Sequence, residues 1–299
     1  MFARMKFLAS FIVLVIGVLP SLAQTNSISL TTLNCYWFFN SEEIGTTGET
    51  PKTDQEYDLK AGHLIGLLPT EAPLLVGLQE IGNGKDVAKL VHAANARYKR
   101  SYAPLFVQGR DTATKQDVGA FFDTSRGWSV YGGPSRVSDL ERELSKHLVV
   151  RLTNAVTHID ICVVHLRVPR DADGKAKQVE QNRALLRWCM RHLAQDPKAN
   201  VVILGDFNEN KVGSPEQSLA VLFQAKPPMR DPFESLKTKI TTHAGGGAYD
   251  RIILSDAIVK GLNHLEFESV SIGRHSRGRG DERRLYTDHF PVTVRLIEQ

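Results

Sequence analysis

The sequence predicts a single α/β sandwich, with two packed and mainly antiparallel sheets and helices outside them. Three observations point there. Segments with strand character outnumber helical ones, the helical segments fall between groups of strands, and neither a linker nor an internal repeat divides the chain. A chain of 299 residues with 42% apolar and 23% charged residues has enough material for one large core.

Residues 1–23 stand apart. Arg4 and Lys6 precede an apolar run from Phe7 to Leu19, and Ser21-Leu22-Ala23 fits a small-residue cleavage site. The run is about 13 residues long, short of the ~20 that span a bilayer, so an export signal is expected, with a single mature domain over 24–299 and a periplasmic or secreted location. Removing two basic residues and no acid takes the net charge from +4 to +2. That balance neither requires nor excludes a nucleic-acid partner.

The elements follow in order. "ISLTTLNCYW" reads as the first strand, and a short helix is expected over 59–68, ending before Pro69. "LLVGLQE" is a buried strand, and "KDVAKLVHAANARY" is a helix with Val87, Leu90, Val91 and Ala94 on one face. "YAPLFVQ", "DVGAFFD" and "WSVYG" are strands, and "SRVSDLERELSKH" is a connection or short helix. "LVVRLTN" and "HIDICVVHL" read as adjacent antiparallel strands. "KAKQVEQNRALLRWCMRHL" is a helix whose expected inward stripe is Val179, Leu186, Cys189 or Met190, and Leu193. After the strand "VVILG" a helix is expected in "SPEQSLAVLFQA", then strands at "AYDRIILS", "LEFESVSIG" and "FPVTVRLIE". Of the three cysteines, Cys35, Cys162 and Cys189, the last two read as buried free thiols, and none has zinc-site spacing.

Chemistry gathers where strands meet loops. Asp206 and Asn208 follow "VVILG", two apart and so on one face of an extended chain. Glu80 ends "LLVGLQE", His165 ends "ICVVH", Asp250 opens "DRIILS", Asp288 and His289 precede "FPV", and Asn34 interrupts the first strand. Any one of these has an ordinary turn or surface explanation. Together they suggest one cleft able to hold a hard cation and a phosphate.

The ordered set "LNCYW", "GLQE", "VVHL", "GDFNE", "AYDRI" and "TDHFPV" resembles the endonuclease/exonuclease/phosphatase superfamily over Leu33 to Val294, and "AYDRI" and "TDHFPV" look most like its secreted deoxyribonuclease I branch. The resemblance implies a four-layer α-β-β-α sandwich. It implies Glu80 as principal metal ligand, supported by Asn34 and Asp288, with Mg²⁺ the default ion, Mn²⁺ a substitute and Ca²⁺ an auxiliary. His289 becomes the general base or the residue that orients the attacking water, partnered by Asp250. His165 faces the leaving oxygen or the phosphate, oriented by Asp117 or Gln116. Asp206 acts on water, leaving group or metal, and Asn208 binds a phosphate oxygen.

Thr241 and Thr242 are candidates for flanking phosphates or ordinary turn residues, and Arg251 for a phosphate contact or a carboxylate brace. Arg274, Arg277, Arg279, Arg283 and Arg284 form either a grip on a nucleic-acid backbone or a solvated loop. The branch's basic residue after "QE" is replaced by Ile81-Gly82-Asn83, and Gly247 stands where that branch tends to place a cysteine. The implied activity is metal-dependent phosphodiester hydrolysis, with DNA the favoured partner. The alternatives are a lipid headgroup or small phosphate ester, as in sphingomyelinase-like enzymes, and an inactive binding protein of the same fold. No obligate protein partner is evident.

Overall fold

Residue alternation along each strand decides what meets between the sheets. The computed structural model describes residues 26–40, 50–209, 218–274 and 280–299. The expected export signal lies outside the described residues, as do Arg277 and Arg279. The chain runs β1 (Ser27–Phe38), α1 (Asp54–Leu67), β2 (Leu75–Ile81), α2 (Gly84–Tyr98), β3 (Tyr102–Leu105), β4 (Asp117–Asp123), β5 (Ser129–Ser135), α3 (Ser138–Glu141) and β6 (His147–Thr153). It continues with β7 (His158–His165), α4 (Ala172–Gln195), β8 (Val201–Asp206), β9 (Met229–Arg230), β10 (Asp250–Ser255), α5 (Asp256–Val259), β11 (Leu265–Ile272) and β12 (Val292–Glu298).

Two six-stranded sheets result, ordered β11-β12-β1-β2-β4-β3 and β5-β6-β7-β8-β10-β9. Only the central pairs, β1 with β2 and β7 with β8, are parallel among the described strands, and each is joined through a helix, as a parallel connection requires. Position for position the two strand orders correspond, although β11 and β12 close the chain in the first sheet whereas β5 and β6 precede the parallel pair in the second.

Between the sheets, Leu30, Leu75, Val118, Ile161, Val163, Leu204, Ile252 and Val294 form the central core. Outside the first sheet, α1 and α2 contribute Leu64, Val87 and Leu90 to a second core. Outside the second sheet, α4 contributes Leu185, Trp188 and Cys189 to a third. These are the four layers. All three cysteines are free and buried, and burial pushes their thiols up.

The departures from expectation have local causes. Helix α1 starts at Asp54 because the Thr53 hydroxyl accepts from the Glu56 N–H (3.2 Å), with Asp54 and Glu56 in the favourable first turn. The helix expected in "SPEQSLAVLFQA" is 3₁₀ turns over Ser218–Gln224; residues 214–217 lie outside the described set. Helix α4 turns Gln178, Gln181, Asn182, Leu185 and Trp188 inward, while Val179, Leu186 and Met190 are half-buried. Its inner face starts with amides because its first turns pack on loop carbonyls, not on side chains of the core.

Gly205 shows how tightly β8 fits β7. Its φ is +149°, and a Cβ there would stand 2.0 Å from the Val164 carbonyl oxygen. Backbone cannot yield as a side-chain tip does. Gly205→Ala is expected to destabilise the protein by about 3 kcal/mol, read by urea unfolding.

Candidate active site

The inter-sheet faces change character toward one end of the sandwich. Along β1 the inward positions read Ile28, Leu30, Thr32, Asn34; β7 ends Ile161, Val163, His165; β8 ends Val202, Leu204, Asp206. β10 enters at that end with Asp250 and becomes apolar at Ile252 and Leu254. Register aligns them, since Asp206 pairs with both His165 and Asp250. Beneath, Thr32 donates to Gln79 at 3.1 Å, a polar layer between core and cleft.

Glu80 needs a device to reach this cleft. Gln79 faces the other sheet, so strict alternation would turn Glu80 to the helix side. The register with β4 shifts between Gln79 and Ile81, and Glu80 takes φ +57°, which swings its carboxylate toward Asn34. Tyr36, Trp37 and Asn208 also have positive φ, +50°, +52° and +51°. Left-handed non-glycine residues are uncommon, and four of them border this one cleft.

The side chains converge. The Asn34 amide donates to Glu80 Oε1 (3.1 Å) and Asp206 Oδ2 (2.9 Å), while its carbonyl accepts from the Tyr36 N–H (2.9 Å). Asn34 thus clamps two carboxylates at the end of the site where a metal-supporting role is expected of it. Trp37 N–H donates to Glu80 Oε2 at 3.2 Å. His165 Nε2 stands 3.9 Å from Glu80 Oε1 and 3.7 Å from Asp206 Oδ2. His289 Nδ1 pairs with Asp250 Oδ2 at 2.8 Å, and its Nε2 lies 3.9 Å from Asp206 Oδ2 and 3.8 Å from Asp288 Oδ1. Asn208 N–H caps Asp206 Oδ1 (2.8 Å), and its side-chain amide donates to the Leu166 carbonyl (2.9 Å).

Burial makes these charges count. It tends to discharge His289, but the charge and hydrogen bond of Asp250, then Asp206 and Asp288, outweigh it and hold the imidazolium up to about 10. Burial pushes Asp206 up to about 6, with His289 opposing and Asp250 adding to the rise. His165 is driven well down by burial, then by the Lys146 and His289 charges, and is neutral. For Asp288, burial is outweighed by the His243 hydrogen bond and the charge of His289, so its carboxyl lies below the ordinary range.

Two sets of donor atoms here come within 4.8 Å of one another, Glu80–His165–Asp206 and Asp206–Asp250–His289, and a third is His243–Asp288–His289. The cluster holds four carboxylates, three of them within 3.9 Å of the His289 ring nitrogens, and the Asp250 and Asp288 Oδ1 atoms are buried without hydrogen-bond partners among the described residues. Such an anionic, oxygen-rich cluster fits a hard divalent cation.

Other expected residues have different tasks. The Thr242 hydroxyl accepts from the Asp250 N–H (2.9 Å), so it supports the acid from behind; Thr241 is half-buried. Arg251 is fully buried, paired with Asp231 at 2.7 Å and lying over the Phe233 ring, which is the bracing role. Asp117 accepts from Gln108, Gly109 and Val118, and Gln116 accepts from Lys146 (3.1 Å), so neither orients His165, whose Nδ1 has no partner. Arg274 and Arg283 are exposed, while Arg284 forks onto Glu56 (2.9 and 2.5 Å).

Sequence reasoning missed His243, whose Nε2 lies 3.1 Å from Asp288 Oδ2. Its position beside a glycine run and seven residues before Asp250 is the signal that was there to read. It also missed Gln178, whose amide reaches the carbonyls of Arg167, Phe207 and Asn208 (3.0, 2.9 and 3.3 Å) and ties α4 to the Asp206 loop.

The sequence matches no family profile and no curated protein. The fold is matched by distant solved structures. Human nocturnin's catalytic domain with bound sulfate aligns with a TM-score of 0.61 at 13% identity, over 91% of this chain and 95% of that one. Humanized D. rerio TDP2 gives 0.59 at 17%, over 90% and 98%. A mannosyl-6-phosphatase from Bacteroides thetaiotaomicron gives 0.57 at 15%, over 90% and 99%. The four-layer architecture is therefore that of the endonuclease/exonuclease/phosphatase proteins.

Arg284 ties the segment before Asp288 to α1 and, with the Lys52 N–H, pulls the Glu56 carboxyl down to about 2. The carboxyl is depressed on folding, so its contribution to stability is full above its ordinary value near 4.5 and is lost as pH falls toward 2. Glu56→Gln is expected to lower the melting temperature at pH 7 and to flatten the wild-type loss of stability between pH 5 and 2. Parallel wild-type and variant curves across that window would contradict the link.

Proposed function

We propose that this chain is a metal-dependent phosphodiester hydrolase with DNA as its favoured substrate. One observation carries the reading: Glu80 and Asp206 are held together by Asn34 while His165 and His289 face them in the same buried pocket. Exposed guanidiniums neighbour its residues along the chain, Arg167 and Arg170 after His165, and Arg274 and Arg283 before Asp288, which suits a polyanion. Arg284 and Arg251 are committed to ion pairs and add nothing to that surface. An inactive binding protein has no need to keep Glu80, Asp206, Asp250 and His289 convergent. The N-terminal pattern of residues 1–23 supports export.

Glu80 would hold the divalent ion, Mg²⁺ or Mn²⁺, which when bound supplies charge stabilisation to the phosphoryl oxygens. The chain's own groups do the rest. Asp206 takes a proton from the attacking water, whose oxygen bonds to phosphorus as the bond to the leaving oxygen breaks. The leaving oxygen is protonated from solvent, and the products are a phosphomonoester and an alcohol.

His289 enters as imidazolium and donates from Nε2 to a phosphoryl oxygen, with Asp250 fixing its orientation through Nδ1. The base role expected of His289 passes to Asp206, because three carboxylates keep the imidazole protonated. Neutral His165 donates to the phosphate from the other side, and the spare amide hydrogen of Asn208 does the same.

The mature protein is expected to cleave duplex or single-stranded DNA with Mg²⁺ or Mn²⁺ and to stop on EDTA addition. Asp206→Asn and His289→Ala are each expected to lower turnover by about 10²–10⁴-fold with folding retained. RNA, sphingomyelin and sugar phosphates belong in the same assay. Faster turnover of sphingomyelin or a sugar phosphate would replace DNA as substrate, and near-normal turnover in folded His289→Ala would remove its assigned role.

A further inference from the structure

We infer that His243 is a positioning residue, an imidazole held by its hydrogen bonds in one tautomer, that decides which oxygen of Asp288 faces the reaction centre. For its kinetic consequence the inference rests on the hydrolase reading above.

His243 is held from several sides. Its backbone forms an isolated antiparallel bridge with His289, its N–H donates to the Gly247 carbonyl (3.1 Å), and the Asp288 carbonyl accepts from Ala244 N–H (2.8 Å). The ring stands edge-on to His289 at 4.8 Å between centroids and 77° between planes, with Tyr249 at 5.0 Å.

Its two nitrogens are committed differently. Nδ1 accepts the Gly245 N–H at 2.8 Å. A Cβ at residue 245 would stand 2.9 Å from that nitrogen, so only glycine lets the amide approach so closely. A ring nitrogen that accepts carries no proton, so the ring proton is on Nε2, which donates to Asp288 Oδ2 at 3.1 Å.

Two consequences follow. The Asp288 carboxylate is pinned through Oδ2, and Oδ1, buried and without a hydrogen-bond partner, is left 3.8 Å from His289 Nε2. Moreover, His243 has no lone pair left for an ion. Although His243, Asp288 and His289 bring donor atoms within 4.8 Å, they act as an imidazole–carboxylate–imidazole chain and not as a metal triad.

Two measurements test this. Nitrogen-15 NMR of histidine-labelled, metal-free protein at pH 7.5 is expected to find the His243 ring proton on Nε2 and none on Nδ1. A proton on Nδ1, or on both nitrogens, overturns the proposal whether or not the protein hydrolyses anything. In kinetics on the Mg²⁺-loaded enzyme, His243→Ala is expected to lower kcat by about 10–100-fold with little change in KM. His243→Gln, whose amide nitrogen reaches the place of Nε2, is expected to recover most of that loss.

In the Asp288→Ala background, removing His243 is expected to change kcat by less than about twofold, because its target is gone. An equal, independent loss in both backgrounds would mark His243 as a packing residue and overturn the proposal. Failure of the hydrolase reading looks different: wild type inert toward every ester, with the His243 tautomer as stated.

Discussion

Crowding of negative charge in a buried pocket is the constraint on which the molecule turns. Asp206 and Asp250 are essentially buried, Glu80 and Asp288 border them, and one imidazolium, His289, lies between. A core would not tolerate this arrangement uncompensated. Each partial compensation is visible: the Asn34 amide across two acids, backbone N–H groups from Trp37 and Asn208, and the Asp250–His289 pair. What they leave over is negative, and a divalent cation with a phosphate is the chemistry that fits.

That cluster exists only because two sheets meet in a fixed relation. Glu80 and Asn34 come from the first, His165, Asp206 and Asp250 from the second, and His289 from the loop entering β12. Close inter-sheet packing sets their separation: a Cβ on Gly77 would approach Leu204 Cδ1 to 2.2 Å. The outer layers contribute as well. Lys60 on α1 donates to the Tyr36 carbonyl behind Glu80, and Gln178 on α4 holds the turn behind Asp206. Core stability and site geometry are thus the same set of contacts read at opposite ends of the strands.

The expectations from sequence divide along physical lines. Strands and their order were legible because alternation and burial leave a direct trace, and the functional acids were legible because each stands where such a run stops. On α4, Cys189 and Leu193 face inward as expected, but Val179 and Leu186 give way to Gln178 and Leu185, since an apolar-stripe criterion cannot see Gln178 and Asn182 as inward residues. Arg251 and Thr242 have the chemistry to bind phosphate, and only the third dimension reveals Asp231 and Asp250 as their partners. The role of Glu80 depends on a bulge, and alternation alone would have turned it away. His243 was missed because its significance lies in contact with Asp288, 45 residues along the chain by the numbering. The proposed shift of the base role from His289 to Asp206 has a similar origin: the number of acids around an imidazole is a property of the fold.

The most direct measurement is anomalous diffraction from crystals soaked in Mn²⁺ with inorganic phosphate. The account predicts a Mn²⁺ peak bound by a Glu80 carboxylate oxygen at about 2.1–2.3 Å, with phosphate alongside it facing His165 and His289. A pocket free of Mn²⁺ at saturating concentration, or an ion held elsewhere while Glu80 and Asp206 remain bridged only by Asn34, would contradict it.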